Sequence, residues 1–258
     1  REGLWLAVSD REVRCLASEL PDVQGIPNPP PSALAAIEKP AARAAALLDL
    51  LLPPSAPFEN QWDLYTFCRR AGWNVWVKGF RGEALRFKSW PEFRTAVERL
   101  ARTEGGRNGV FVQQHVEGRG EAVAFAAHSG KLLGAVAMIK RVASEGGKTW
   151  TGDIMTIPPA IETILRRFVA ETEWTGGGEI EMIRDQGGGL WLMEVNPRFP
   201  AWIFGAALAG INLPALLVAA ELGIEAPKGT LTSHIFTRTV IETPVRKEVA
   251  ALMNSQQP

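Results

Sequence analysis

Cysteine is nearly absent. Cys15 and Cys68 are the two in 258 residues, and they have neither metal-ligand nor redox spacing. That excludes a disulfide framework, and thiols left single suggest a reducing compartment. Histidine is scarce too: His115, His128 and His234 fall into no triad-like or metal-like spacing. Neither sign of charge is in excess, since Lys+Arg and Asp+Glu number 28 each. Nothing in that balance calls for nucleic acid or a membrane surface, so any anion recognition has to be local. No apolar run approaches the ~18 residues of a spanning helix, and the opening Arg-Glu-Gly-Leu-Trp-Leu-Ala-Val is too short for a signal peptide. Tyrosine is almost missing, one against nine tryptophans, most of which sit in apolar runs that read as core. These absences leave a soluble chain, expected in the cytoplasm, long enough for one large domain or two modest ones.

What the sequence does carry is a hairpin signature over 176–200, GGGEIEMIRDQGGGLWLMEVNPRFP. Ile180, Met182 and Ile183 form one apolar run and residues 190–195 another. Asp185-Gln186-Gly187-Gly188-Gly189 between them supplies the positive-φ residues of a turn. Antiparallel pairing brings Glu181 opposite Glu194, and Asn196, two residues on, shares that face. Two carboxylates and an amide oxygen form the hard-oxygen set that Mg²⁺ takes when phosphates complete its octahedron. Arg198 adds a planar cation suited to phosphate or carboxylate. The plainer reading of the same residues is a strand ending in an Asn-Pro turn, with solvated carboxylates.

Ahead of the hairpin, 4–8 reads as a short buried strand and 11–20 as a helix. Prolines at 21, 27, 29, 30 and 31 make 21–32 a semi-rigid connection, so a boundary falls near residue 32. Helices are expected over 33–37 and 40–52, the latter with Pro40 in its first turn. An apolar strand over 73–77 delivers Lys78 into Gly79, a place from which a mobile ammonium can follow a phosphate. A helix over 91–102, a strand over 110–112 and a hairpin of 121–127 with 131–142 follow. Residues 144–152 read as a polar, Gly-rich loop. An amphipathic helix over 158–174 puts Ile161, Ile164, Leu165, Phe168 and Val169 on one face. Further on, Gly210-Ile211-Asn212-Leu213-Pro214 opens a helix to 222, 228–240 reads as an edge strand, and 244–252 as a closing helix.

Glu-Val-Asn-Pro-Arg closing a strand, after an earlier strand glutamate, resembles the magnesium site of the ATP-grasp superfamily. The branch is that of carbamoyl-phosphate synthase and biotin carboxylase, and the resemblance covers about residues 34–222. It implies an α+β fold of two subdomains with the nucleotide between them, preceded by a short remnant of an N-terminal α/β domain. The remnant is expected at 1–32, the small subdomain and its preceding helices at 33–108, and the large subdomain with the metal site at 109–258. By the same resemblance Lys39 and Lys78 reach the ATP phosphates. Gln113, Gln114, His115 and Val116 form the adenine hinge, where the Gln114 carbonyl accepts from the exocyclic amine and the Val116 amide donates to the ring. Glu121 takes the ribose hydroxyls. Glu181, Glu194 and Asn196 hold Mg²⁺, with Mn²⁺ admitted in its place, and Lys140 and Arg198 act on the phosphates or the acyl acceptor.

Two departures from the superfamily stand out. Gln113 replaces a more usual glutamate, and the glycine-rich lid after the second lysine is cut to Phe80-Arg81-Gly82-Glu83-Ala84, which throws closure onto Arg81. The activity implied is ATP-dependent ligation of a small-molecule or peptide carboxylate to an amine through an acyl phosphate. A bicarbonate-phosphorylating, carbamoyl-phosphate-synthase-like enzyme and a non-catalytic nucleotide-binding module remain as alternatives. Dimers are common among relatives, so a homodimer is compatible with the resemblance.

Overall fold

The computed structural model describes residues 4–20, 25, 27–57, 61–79, 84–103, 109–143 and 149–239. The expected lid residues 80–83 with Arg81, the start of the 144–152 loop and the closing helix 244–252 lie outside them. Ser9 caps α1 (Asp10–Glu19) with a capping box: its hydroxyl accepts from the Glu12 amide at 3.2 Å, and the Glu12 carboxylate accepts from the Ser9 amide at 2.9 Å. Residues 4–8, expected as a strand, join neither sheet; the Trp5 amide instead bonds the Gly25 carbonyl. Two short helices follow, α2 (Pro31–Ala36) and α3 (Ala42–Leu47). The latter is much shorter than expected. Ala41, at φ 59°, and Asp49, at φ 52°, take left-handed backbone on either side of it, and Pro40 falls outside its first turn.

The first sheet is built from β1 (Ser55–Pro57), β2 (Val75–Gly79), β3 (Ala84–Phe87) and β4 (Val110–Gln114), in the order β1-β4-β2-β3, all antiparallel. Helices α4 (Gln61–Arg70) and α5 (Trp90–Thr103) cover one face. There Val75, Val77, Val110 and Val112 pack with Leu64, Phe93 and Leu100. Trp76 and Lys78 alternate with those valines and so take the other face. Strand β2 begins two residues later than the apolar pattern implies, because Gly72 and Trp73 both have positive φ and complete a turn. Since β4 pairs here, the small sheet runs on to Gln114, past the expected boundary at 108.

The second sheet has six antiparallel strands: β5 (Arg119–His128), β6 (Lys131–Ala143), β7 (Thr149–Met155), β8 (Gly176–Arg184), β9 (Leu190–Asn196) and β10 (His234–Thr237). Their order is β10-β7-β6-β5-β8-β9. Residues 149–152, expected in a loop, therefore belong to a strand, and β10 is the short edge strand anticipated within 228–240. Helix α6 (Pro159–Glu171) packs on one face with α1, α2 and α3, around Val123, Phe125, Ile180, Phe168 and Trp174. Val13 and Ala17 of α1, Ala33 and Leu34 of α2 and Ala44 and Ala45 of α3 belong to this core, so these helices pack on the large sheet. On the other face, α7 (Ile203–Leu208) and α8 (Leu213–Leu222) meet Ala122, Ala124, Ala126 and Met138, with Trp202 beneath. Among the described residues no helix is long and apolar enough to cross a membrane.

Phe125 is fully buried against Trp174, and a Cβ on Gly178 would run into its ring. Phe125→Ala is expected to destabilise the fold by about 3–5 kcal/mol. Phe204→Ala, at an exposed ring, should stay within about 0.5 kcal/mol. Urea unfolding of the two variants checks this; equal losses would contradict the core assignment.

Candidate functional site

Strands β8 and β9 pair with Glu181 opposite Glu194 and Glu179 opposite Asn196, and the register shifts by one residue after Glu181. The turn joining the two strands is held by Asp185. Its carboxylate accepts from the Gly189 amide at 2.8 Å and from the Trp191 indole at 2.7 Å, while Gly188 takes φ 87°. Those hydrogen bonds, Trp191 first, hold the Asp185 carboxyl below its ordinary value. Asn196 Nδ2 lies 3.1 Å from Glu179 Oε2, 3.3 Å from Glu194 Oε1 and 3.4 Å from Glu181 Oε1. The expected hard-oxygen set is thus gathered on one sheet face, with a third carboxylate behind it.

Lysines from three other elements converge on this set. Lys39, between α2 and α3, lies 3.0 Å from Glu194 Oε2. Its segment is tied to the hairpin edge by Leu51, which exchanges backbone bonds with Leu190 and Leu192. Lys140 of β6 donates to Glu181 although β5 lies between their strands. The passage is open because β5 carries Gly120 there, where a Cβ would sit 2.9 Å from Lys140 Cδ. Lys78, on the outer face of β2, donates to Gln113 Oε1 at 2.6 Å and feels Glu194, Glu181 and Lys39. Burial, with Lys39 adding to it, pushes Lys78 down to about 8 against the pull of the two carboxylates. Burial acts to raise Glu194, but the Lys39 and Lys78 charges outweigh it and hold that carboxyl low. Glu179 is pushed up to about 7 by burial and then by Glu181.

The hinge residues sit at the end of β4. Gln113 is buried, with its amide nitrogen donating to Ser55 Oγ at 3.1 Å, so both ends of the side chain are committed. The Gln114 amide bonds the Pro54 carbonyl, and half-buried Val116 follows two residues on. His115 Nδ1 accepts from the Trp76 indole at 2.9 Å; an indole only donates, so the proton of the neutral ring is on Nε2, which faces Glu117 Oε1 at 2.9 Å. Burial first, then Arg86, lowers the His115 pKa and favours that neutral form.

Two expected residues are engaged elsewhere. Glu121 pairs with Met182, one register step from Glu181, so the pleat sends it to the opposite sheet face. There Arg184 grips it through two bonds of 2.8 and 3.0 Å, and Arg119 joins. Burial would raise this carboxyl, but the two arginines outweigh it and hold it low. Arg198 has Nε 2.9 Å from Asp10 Oδ1, an ion pair without an aligned hydrogen bond, and Nη1 4.0 Å from Glu179. Its guanidinium is thus spent on α1 and the buried carboxylate.

Glu179, Asp10 and Trp202 were not among the candidates. The register that pairs Glu181 with Glu194 also pairs Glu179 with Asn196, so Glu179 had a readable signal; Trp202 and Asp10 reach the site only by tertiary packing. Among the described residues no three His, Cys, Asp or Glu side chains gather closely enough to enclose a metal ion. Two carboxylates plus an amide suit Mg²⁺, which is commonly held by one or two carboxylates together with substrate phosphates. A cavity of about 430 Å³ lies elsewhere, between α1, Pro29–Pro31 and Ser129, and none of the candidate residues lines it.

Lys78 loses its proton near pH 8 in the folded chain and near ~10.4 when unfolded. Between those values the unfolded chain binds more protons, so this group makes stability rise with pH across the window. The stability of wild type relative to Lys78→Met should therefore rise from pH 7 to pH 10 by at most about 3 kcal/mol. This rise comes on top of a pH-independent difference, since the substitution also leaves the buried Gln113 oxygen without its donor. Urea unfolding at both pH values checks this, and a gap independent of pH would contradict it.

No protein-family model and no curated protein matches the sequence. Solved structures do match the fold. The biotin carboxylase–β-γ-ATP complex from Campylobacter jejuni superposes with a TM-score of 0.67 at 12% identity, over 88% of this chain and 55% of that one. N5-carboxyaminoimidazole ribonucleotide synthetase from Thermus thermophilus gives 0.66 at 17%, over 96% and 67%. L-amino acid ligase from Bacillus licheniformis gives 0.57 at 16%, over 85% and 60%. The chain spans little more than half the length of the first of these.

Proposed function

The chain has the ATP-grasp fold, and from that premise we propose that it is an ATP- and Mg²⁺-dependent ligase joining a carboxylate to an amine. The observation that carries the reading is the pairing of Glu181 with Glu194 beside Asn196, with Lys39 and Lys140 on the two carboxylates and Lys78 in charge contact across the cleft. Glu181, Glu194 and Asn196 would hold a Mg²⁺ ion, which would supply charge neutralisation for the nucleotide phosphates. Mn²⁺ would fit the same oxygens. Lys39, Lys78 and Lys140 would turn from carboxylates to phosphate oxygens, a change of partner that needs only rotation of flexible stems. Adenine would lie along Gln113 to Val116.

In this reading a carboxylate oxygen of the substrate attacks the γ-phosphorus and ADP departs, giving an acyl phosphate. The amine nitrogen then attacks the acyl carbon, phosphate leaves, and a proton is released. The chain's residues position and neutralise; none forms a covalent bond. The substrates would be small-molecule or peptide carboxylates and amines. Arg198 would act on the phosphates only by leaving Asp10, so its first role in this site is to hold α1 against the hairpin.

A second reading is a nucleotide-binding module without turnover. Lys78 pairs with Ala84, so the sequence leaves five residues between these positions where the superfamily carries a longer glycine-rich lid. Phosphate release from Mg-ATP, with pooled amino acids and other carboxylates including bicarbonate, separates the readings. Release that requires a carboxylate and an amine, and falls roughly a hundredfold or more in Glu194→Ala, is the expected result. Near wild-type turnover in that variant would remove the metal assignment; tight Mg-ATP binding without release in any pool would favour the second reading.

A further inference from the structure

We propose that Glu179 is a positioning residue: it holds the NH₂ end of the Asn196 amide, and so leaves the amide oxygen for the cation carried by Glu181 and Glu194. The proposal rests on the magnesium reading above and concerns a residue that takes no part in it directly. Glu179 is 4% exposed, on the face where β5 opposes it with Ala124. An apolar side chain would fill that place at less cost than a carboxylate, which has to be desolvated.

The hydrogen bonds around Glu179 have one polarity. Its Oε1 accepts from the Trp202 indole at 2.7 Å, and its Oε2 accepts from Asn196 Nδ2 at 3.1 Å. An indole can only donate, and an ionised carboxylate, the form Glu179 takes above about pH 7, can only accept. An Asn196 turned the other way would set its oxygen against Oε2, two acceptors facing each other in a dry place. The same Nδ2 also lies 3.3 Å from Glu194 and 3.4 Å from Glu181, but its two hydrogens cannot serve three carboxylates well. A hard cation between Glu181 and Glu194 accepts only oxygen from an amide. Asn196 then has to swing its oxygen inward, and Glu179 is the acceptor that keeps the nitrogen through that swing.

The polarity argument makes an asymmetric prediction. In Glu179→Gln the Trp202 N–H claims the only side-chain oxygen, so the new NH₂ faces Asn196 and calls its oxygen away from the cation. In Glu179→Ala the amide is merely released. Both variants lose the same charge, so a purely electrostatic role predicts equal effects. An orienting role predicts that Gln is the worse of the two, and that Trp202→Phe restores binding in the Gln background by freeing that oxygen to turn.

The test is Mn²⁺ binding at pH 8 in the presence of ADP, read from the free-Mn²⁺ electron paramagnetic resonance signal, with thermal unfolding of each variant without metal. Weakening by about 10–100-fold in Glu179→Gln, a smaller loss in Glu179→Ala and recovery in Glu179→Gln/Trp202→Phe are expected. Unfolding temperatures of the metal-free variants should not explain the order. Equal losses in Gln and Ala, or none in Gln, overturn the proposal while leaving the magnesium reading intact. Failure of the wild type to bind, or unchanged binding in Glu194→Ala, sinks that reading and this proposal together.

Discussion

The antiparallel register of β8 against β9 is the constraint on which the site depends. Side chains alternate along a strand, so a slip of one residue would send Glu181 and Glu194 to opposite faces and dissolve the cluster. The pairing already carries one such step, between Glu181 and Met182, and that step is what turns Glu194 to meet Glu181; two features hold the strands around it. Asp185 locks the turn by accepting from the Gly189 amide and the Trp191 indole, and Ile180 and Leu192 are buried in the core of the covered face. The outer edge of β9 is closed by Leu51, whose backbone bonds to Leu190 and Leu192 serve where another strand would pair. That same closure brings Lys39 to Glu194. A device that protects a sheet edge also delivers a cation to the site.

Charge balance follows from this geometry. Glu179, Glu181 and Glu194 bring three carboxylates into a small, half-dry space, and Lys39, Lys78 and Lys140 bring three ammonium groups from three separate elements. Each group is costly to bury alone, and each shift has its partner as a cause: Lys39 and Lys78 lower Glu194, and Glu181 raises Glu179. Lys78 matters most to the architecture because it belongs to the other sheet. Glu194 and Glu181 act on its charge from the other sheet, although burial outweighs their pull at Lys78 itself.

Much of this was legible because it is local. A glycine-bearing turn between two apolar runs fixes which strands pair, and Glu181 does meet Glu194 with Asn196 on the same face. But pairing counted out from the turn would set Glu181 against Met193, and it is the one-residue shift between Glu181 and Met182 that brings Glu194 opposite. The long helices α5 and α6 follow from their apolar spacing. Local rules failed where backbone dihedrals or distant strands decide the outcome. Pro40 looked like a first-turn proline, yet Ala41 next to it is left-handed and delays the helix. Trp73 looked like the start of a strand and is the end of a turn. The contact of Lys140 with Glu181 depends on β5 lying between their strands and on Gly120 leaving room there, neither of which spacing along the chain conveys. Glu121 shows the reverse case: a residue close to the expected hinge in sequence is sent by the pleat to the face opposite Glu181, where two arginines hold it.

Glu179 marks the division between what sequence can and cannot supply. Its position was readable, since the register that opposes Glu181 to Glu194 opposes Glu179 to Asn196 with no further assumption. Its burial was not, because the group that shuts it from water is Trp202, which lies beyond the end of β9 and folds back beneath the sheet. Composition argues against a carboxylate at such a place, and pairing rules say nothing of solvent. A strand glutamate next to a metal-type pair is therefore ambiguous until the covering residue is known. Here that residue is a tryptophan whose indole can only donate, and it converts an ordinary alternating glutamate into an acceptor of fixed polarity at the back of the site.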